Sequence, residues 1–163
     1  MQHRFQIKSI IISLLLLTTV IEVNAQGPVL KFGNVSEAEL LMKSCAIDTS
    51  AGAVVLGDFG TSSFQYDHVK ERFMINFERH VRIKILKKSG YNAANDAIPF
   101  YRHNSTRVEV INLKGYTYNM EGGKIIKSKL EKDGIFEEVV NDNWTLKKIT
   151  LPNIKEGSVI EYT

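Results

Sequence analysis

Alternation of apolar and polar residues with a period of two dominates the chain beyond residue 52, and it is strongest over residues 73 to 85. Phe73, Ile75, Phe77, Val81, Ile83 and Ile85 share one face there, while Asn76, Glu78, His80, Arg82 and Lys84 share the other. A helix would scatter those apolar residues around its circumference, and their β-branched and aromatic character also favours a strand. A straight strand of this length would run about 43 Å, which predicts a bend. Arg79 is the one residue that breaks the apolar face, so a bulge is expected near Arg79-His80. The competing reading of Arg79 is a side chain aimed into a ligand site. His80, on the polar face, is expected to be solvated.

Further strands are expected at Val54-Val55-Leu56, bounded by Gly52 and Gly57, and where Phe64 and Tyr66 alternate with Gln65 and Asp67. Residues 89 to 106 carry Ser89, Gly90, Asn92, Asn95, Pro99 and Asn104 and read as the longest irregular segment, broken by an apolar patch from Ile98 to Tyr101. Strands resume at 107 to 111 and 116 to 120, and Gly122-Gly123 supplies a tight hairpin into 124 to 130. Asp133-Gly134, Asn141-Asp142-Asn143 and Glu156-Gly157 mark later turns, and 158 to 163 form a final strand pattern. Ahead of all this, Ser36-Glu37-Ala38-Glu39 matches a capping box. The helix it opens would place Leu40, Leu41 and Ser44/Cys45 on one face and end at 49 to 52. The fold class predicted is all-β, antiparallel and sandwich-like, with one short N-terminal helix.

The first 25 residues differ from the rest. Arg4 and Lys8 precede an almost unbroken apolar run from Ile10 to Ile21, and Val23-Asn24-Ala25 ends in a small residue. This is the layout of a secretory signal peptide with cleavage between Ala25 and Gln26. A membrane anchor needs about 20 apolar residues, more than this run supplies, and Glu22 follows it at once. A lipid anchor would need cysteine where Gln26 stands. The expected organisation is therefore a signal peptide (1–25), an extended lead-in (26–35) and one β-rich domain (36–163), exported to the periplasm or secreted. Because the final strand pattern stops at Thr163, the domain is read as truncated there, with an edge left for later sequence to pair.

Composition adds little against this. At 163 residues, 44% hydrophobic and 24% charged, the chain supports one core. Taking Arg4, Lys8 and Glu22 from 21 Lys+Arg and 18 Asp+Glu leaves 19 against 17, too mild an excess to imply nucleic acid as a partner. Cys45 is the only cysteine, so stability rests on packing rather than disulfides.

Candidate chemistry is sparse. Cys45 could be a nucleophile with His68, His80 or His103 as base, but a structural cysteine on the packing side of the helix is the simpler reading. The histidines lie at no local metal-ligand spacing, and Glu137 and Glu138 on a strand point to opposite faces, so they cannot act as an acid and base pair. Lys124, Lys127, Lys129, Lys132, Lys147 and Lys148 interleave with Glu131, Asp133, Glu137, Glu138 and Asp142, a pattern suited to a solvated sheet face. Tyr116, Tyr118 and Trp144 could form an aromatic platform for a glycan or peptide, or cap a β core. No cofactor or metal is expected, and no phosphate-loop, nucleophile-elbow, zinc-protease or calcium-loop pattern occurs.

Three stretches carry a family resemblance: Glu78 to Leu86 (ERHVRIKIL), Gly115 to Asn119 (GYTYN) and Leu151 to Tyr162 (LPNIKEGSVIEY). Through them the chain, from about Ser36 to Thr163, resembles a bacterial domain of unknown function that stands in front of transglutaminase-like domains in exported proteins of the Bacteroidetes type. The resemblance implies a β-rich accessory module whose partner is a downstream transglutaminase-like domain of the same protein, with its protein or glycan substrate as a further partner. The thiol, histidine and aspartate of that catalytic domain lie past Thr163 in such proteins, and none maps onto a residue here. A stand-alone glycan- or peptide-binding protein is the alternative, and a thiol hydrolase built on Cys45 a more remote one.

Overall fold

In a computed structural model, which describes residues 30–103 and 106–163, the chain forms two antiparallel sheets. The signal peptide expected over residues 1–25, with its expected cleavage between Ala25 and Gln26, lies outside the described residues. Among the described residues nine strands follow one helix, α1 (Glu37–Leu41): β1 (Ala53–Asp67), β2 (Arg72–Ile85), β3 (Asn95–His103), β4 (Thr106–Arg107), β5 (Gly115–Glu121), β6 (Lys124–Lys129), β7 (Ile135–Val139), β8 (Trp144–Thr150) and β9 (Val159–Tyr162). One sheet runs β1-β2-β9-β5-β6 and the other β4-β3-β8-β7. The expected all-β, antiparallel class with one short helix is what the chain adopts.

The capping box forms: the Ser36 hydroxyl accepts from the Glu39 backbone N–H at 3.3 Å, and the Glu39 carboxylate accepts from the Ser36 N–H at 2.6 Å. The helix is shorter than its apolar spacing suggests, ending with Met42 as C-cap, so Ser44 and Cys45 lie beyond it. A single turn with no C-terminal glycine or basic residue has little to extend it.

Alternation along β1 and β2 makes one long hairpin. The irregularity expected at Arg79-His80 is instead in β1, between Val55 and Gly57, where Leu56 is the extra residue opposite Ile83 and Arg82. Arg79 keeps the register because its guanidinium is paired, with Asp58 at 2.7 Å and Asp96 at 3.4 Å. The two strands expected between 54 and 67 are one. Within 89 to 106, a 3-10 turn (Lys88–Ala94) and β3 replace the irregular segment. Pro99 is tolerated in β3, as it lies opposite Leu146 in a strand that β4 flanks only at residues 102 and 103. The 3-10 turn is held against the start of β1 at a glycine pair: a β-carbon on Gly90 would meet the Gly52 carbonyl oxygen at 2.1 Å. The strand expected at 107 to 111 is only the two-residue β4.

Gly122 and Gly123 turn the β5–β6 hairpin with φ of 56° and 75°. The final strand β9 does not lie at an edge, since β2 and β5 flank it on both sides.

The core lies between the sheets, where Val81, Ile83, Ile85, Ile160 and Tyr162 meet Ala94, Leu130, Ile149 and Leu151. Ile85 and Ile160 are completely buried, each contributing about 1.5–3 kcal/mol. A second, smaller cluster on the outer face of the larger sheet joins Val35 and Leu40 to Tyr118 and Val159. The lead-in and α1 therefore form a partial third layer. Thr117 is fully buried and its hydroxyl has no hydrogen-bond partner. Thr117→Val is expected to raise the unfolding free energy by about 1 kcal/mol, read from the urea midpoint at unchanged slope; a loss of stability would mean that the hydroxyl is bonded.

Candidate functional site

Among the described residues, the buried charged side chains, Arg82, Lys84 and Glu161, all lie on the outer face of the sheet at β2 and β9, beside β5. Alternation places His80, Arg82 and Lys84 on this face of β2, and the register sets Arg82 beside Glu161 of β9, which in turn lies beside Tyr116 of β5. On sequence pattern the polar residues of β2 face solvent. The structure corrects this: Arg82 and Lys84 are fully buried beneath the lead-in and α1, and His80 is half-buried.

Glu161, itself fully buried, is the hub. Its carboxylate accepts from the Gly33 N–H at 2.8 Å, Arg82 Nε at 3.0 Å and the Tyr118 hydroxyl at 3.1 Å, and it pairs with His80 Nε2 at 2.8 Å. A second guanidinium nitrogen of Arg82 bonds Glu161 and also the Lys31 carbonyl, at 2.8 Å, while the third bonds Glu39 at 2.9 Å. One ion network thus grips the lead-in at Lys31 and Gly33 and α1 at Glu39, tying residues 128 positions apart.

Charges in this network reinforce one another. Burial works against the Glu39 carboxylate, but its Ser36 hydrogen bonds and Arg82 hold it below its usual value. Burial also pulls on Arg82, and Glu161 and Glu39 more than offset it. Burial raises the Tyr118 phenol, with Glu161 adding to the shift.

Lys84 stands apart. Its ammonium donates to the Leu40 carbonyl at 2.6 Å and the Gly157 carbonyl at 2.5 Å, with no carboxylate among these partners. Burial, aided by nearby Lys43, brings it down to about 8.

A carboxylate holding an imidazole is half of a catalytic arrangement, but Glu161 is shared among four donors. The His80 ring lies 5.4 Å from Phe32, edge to face, and 6.5 Å from Phe59. The contacts of the cluster reach the lead-in, α1 and β5 and fasten these segments to the sheet. Sequence reasoning missed it. The available signal was a lone glutamate inside Val159-Ile160-Glu161-Tyr162, where flanking apolar residues imply burial that a carboxylate tolerates only with partners.

The other candidates are dispersed. Cys45 is half-buried. His68 sits against Tyr66 at the hairpin tip, 5.0 Å between rings. Among the described residues no three His, Cys, Asp or Glu are grouped to hold a metal. Glu137 pairs with Arg102 and Lys147, and Glu138 with Lys148. Tyr116 and Tyr118 are neighbours on β5, 6.2 Å apart, with Lys127 Nζ 3.6 Å over the Tyr116 ring. Tyr118 is buried, however, and Trp144 belongs to the other sheet, packed on Tyr101 at 5.6 Å. The three aromatics do not assemble into one platform.

Two shallow hollows of about 350 and 110 Å³ border the smaller sheet, the first beside Asp96, Phe136 and Lys148 and the second beside Phe100, Arg102 and Glu137. Among the described residues no helix is long and apolar enough to cross a membrane. Compared with known proteins, the chain matches no family model, no curated protein and no solved structure.

Proposed function

We propose that this chain is an exported, non-catalytic accessory module of a transglutaminase-like protein, positioning or regulating that domain or binding its protein or glycan substrate. One observation carries the reading: the groups best suited to chemistry, Glu161, Arg82, His80 and Tyr118, are engaged with one another in fastening the lead-in to the sheet. The stretches resembling the family, β2, β5 and β9 with its preceding loop, are the ones that supply this fastening, which accounts for their pattern as structural. A rigid body with a fixed N-terminal layer suits a module that places a neighbour.

The coding sequence beyond Thr163 tests the partner. Continuation into a segment bearing a cysteine, histidine and aspartate in transglutaminase-like order is expected, and a stop codon or a continuation lacking that set sinks it. The non-catalytic part is tested separately with the purified chain, which is expected to incorporate no fluorescent amine into a glutamine-bearing protein. Incorporation that vanishes in Cys45→Ala would overturn it.

A further inference from the structure

The β1–β2 hairpin outruns the body it belongs to. β9 pairs with β2 only from Val81 to Lys84, so the part of the hairpin from Asp58 to His80 is paired only with itself. This arm carries on the alternation of the core strands. The register puts Tyr66 beside Phe73, Phe64 beside Ile75 and Ser62 beside Phe77, all on the face that becomes the core at Val81, Ile83 and Ile85. The opposite face is mixed, with Phe59 and Met74 set among Thr61, Ser63, Gln65, Asn76 and Glu78 and a Gln65–Asn76 hydrogen bond at 2.9 Å.

Phe64, Tyr66, Phe73, Ile75 and Phe77 are between 43% and 76% exposed. No charged residue interrupts them between Arg79 and the turn. An exposed apolar stripe of this kind is uncommon on a monomer and marks an interaction surface.

We propose that this face of the arm is a self-association surface, on which the arm of a second copy of this chain docks face to face about a two-fold axis. Area favours a second copy. Large apolar side chains bury about 150–250 Å² each, and at these exposures five of them leave about 500–800 Å² free per chain. Two such stripes, fully covered, bury about 1,000–1,600 Å², which reaches into the range of about 1,200–2,000 Å² for specific interfaces. Relief also fits self-pairing. Phe77 leans across Gly60, where a β-carbon would meet its ring at 2.9 Å, which leaves Ser62 as a low point between Phe64 and Phe77. A two-fold-related stripe running antiparallel sets a bulky side chain over that point on both copies.

The dimer goes beyond the accessory role and does not depend on it, because it is read from mass rather than from activity or coding sequence. Sedimentation equilibrium of the chain beginning at Gln26, which contains every described element, is expected to show the mass doubling between about 1 and 100 µM. Ile75→Glu, at an exposed position, is expected to weaken dimerisation at least about 100-fold, since each copy would bury an unpaired carboxylate in the interface. Asn76→Glu on the opposite face should leave it unchanged. Hydrogen exchange gives an independent readout in the unaltered chain, with protection at residues 62–66 and 73–77 rising with concentration. A chain that stays monomeric to about 100 µM, as expected if a different protein occupies the stripe, overturns the proposal, as does a dimer that Ile75→Glu leaves intact.

Discussion

Glu161→Leu is expected to lower the unfolding free energy by about 3–5 kcal/mol, because it leaves the buried Arg82 guanidinium without its main counter-charge. The same substitution removes the acceptor for Gly33, His80 and Tyr118, so the loss should fall at the upper end of that range. Arg82→Met should cost a similar amount for the mirror-image reason, a buried carboxylate losing its cation. The double variant is the informative one. With both charges gone, no uncompensated ion remains, and its loss should fall short of the sum of the two single losses by a coupling of about 1–3 kcal/mol. Urea unfolding followed by circular dichroism measures all three, and strict additivity would show that the two residues do not form a buried pair. Because the network grips Lys31 and Gly33, the single variants should also be cut by protease near the lead-in well before they unfold globally.

Lys84 yields the second large effect, and it appears as a pH dependence. Its ammonium is brought down from 10.5 to about 8 in the fold, so between those values the unfolded chain binds the proton that the folded chain has released. Stability from this group therefore rises with pH across that window, by up to about 3 kcal/mol, and is unchanged below about pH 8, where both states are protonated. Above about pH 10 the buried phenols oppose the rise: burial raises Tyr118, with Glu161 adding to it, and burial raises Tyr162, with Asp96 adding to it. Unfolded tyrosines then ionise first and stability falls. A maximum near pH 10 is the expected outcome for the unaltered chain, and Lys84→Met should flatten the climb that precedes it. Parallel pH profiles for the two proteins would refute the assignment.

Both effects involve residues of β2, Arg82 and Lys84, that β alternation alone assigns to water. Along residues 73 to 85 one face is apolar and the other polar, and that much is legible because side chains alternate with period two whatever surrounds them. Local alternation carries no record of what covers each face. Arg82 and Lys84 are buried because the lead-in and α1 fold over them, and Phe73, Ile75 and Phe77 are exposed because β9 and the second sheet stop short of them. The same holds for Arg79, whose place on an apolar face suggested a bulge until Asp58 and Asp96 were seen to pair with it.

Punctuation was legible for a related reason. The capping box at Ser36 to Glu39 and the Gly122-Gly123 turn depend on contacts within a few residues, so the chain specifies them by itself. So did the all-β class, since many short alternating runs between turn residues leave few other architectures. What needed the tertiary structure was everything joining distant segments: β9 at the centre of its sheet rather than at an edge, Glu161 as the hub of a network that starts at Lys31, and an arm that projects from the body. Each depends on which strands become neighbours, and hydrogen-bonded pairing between residues tens of positions apart is decided by the packing of the whole core, which no local window of sequence contains.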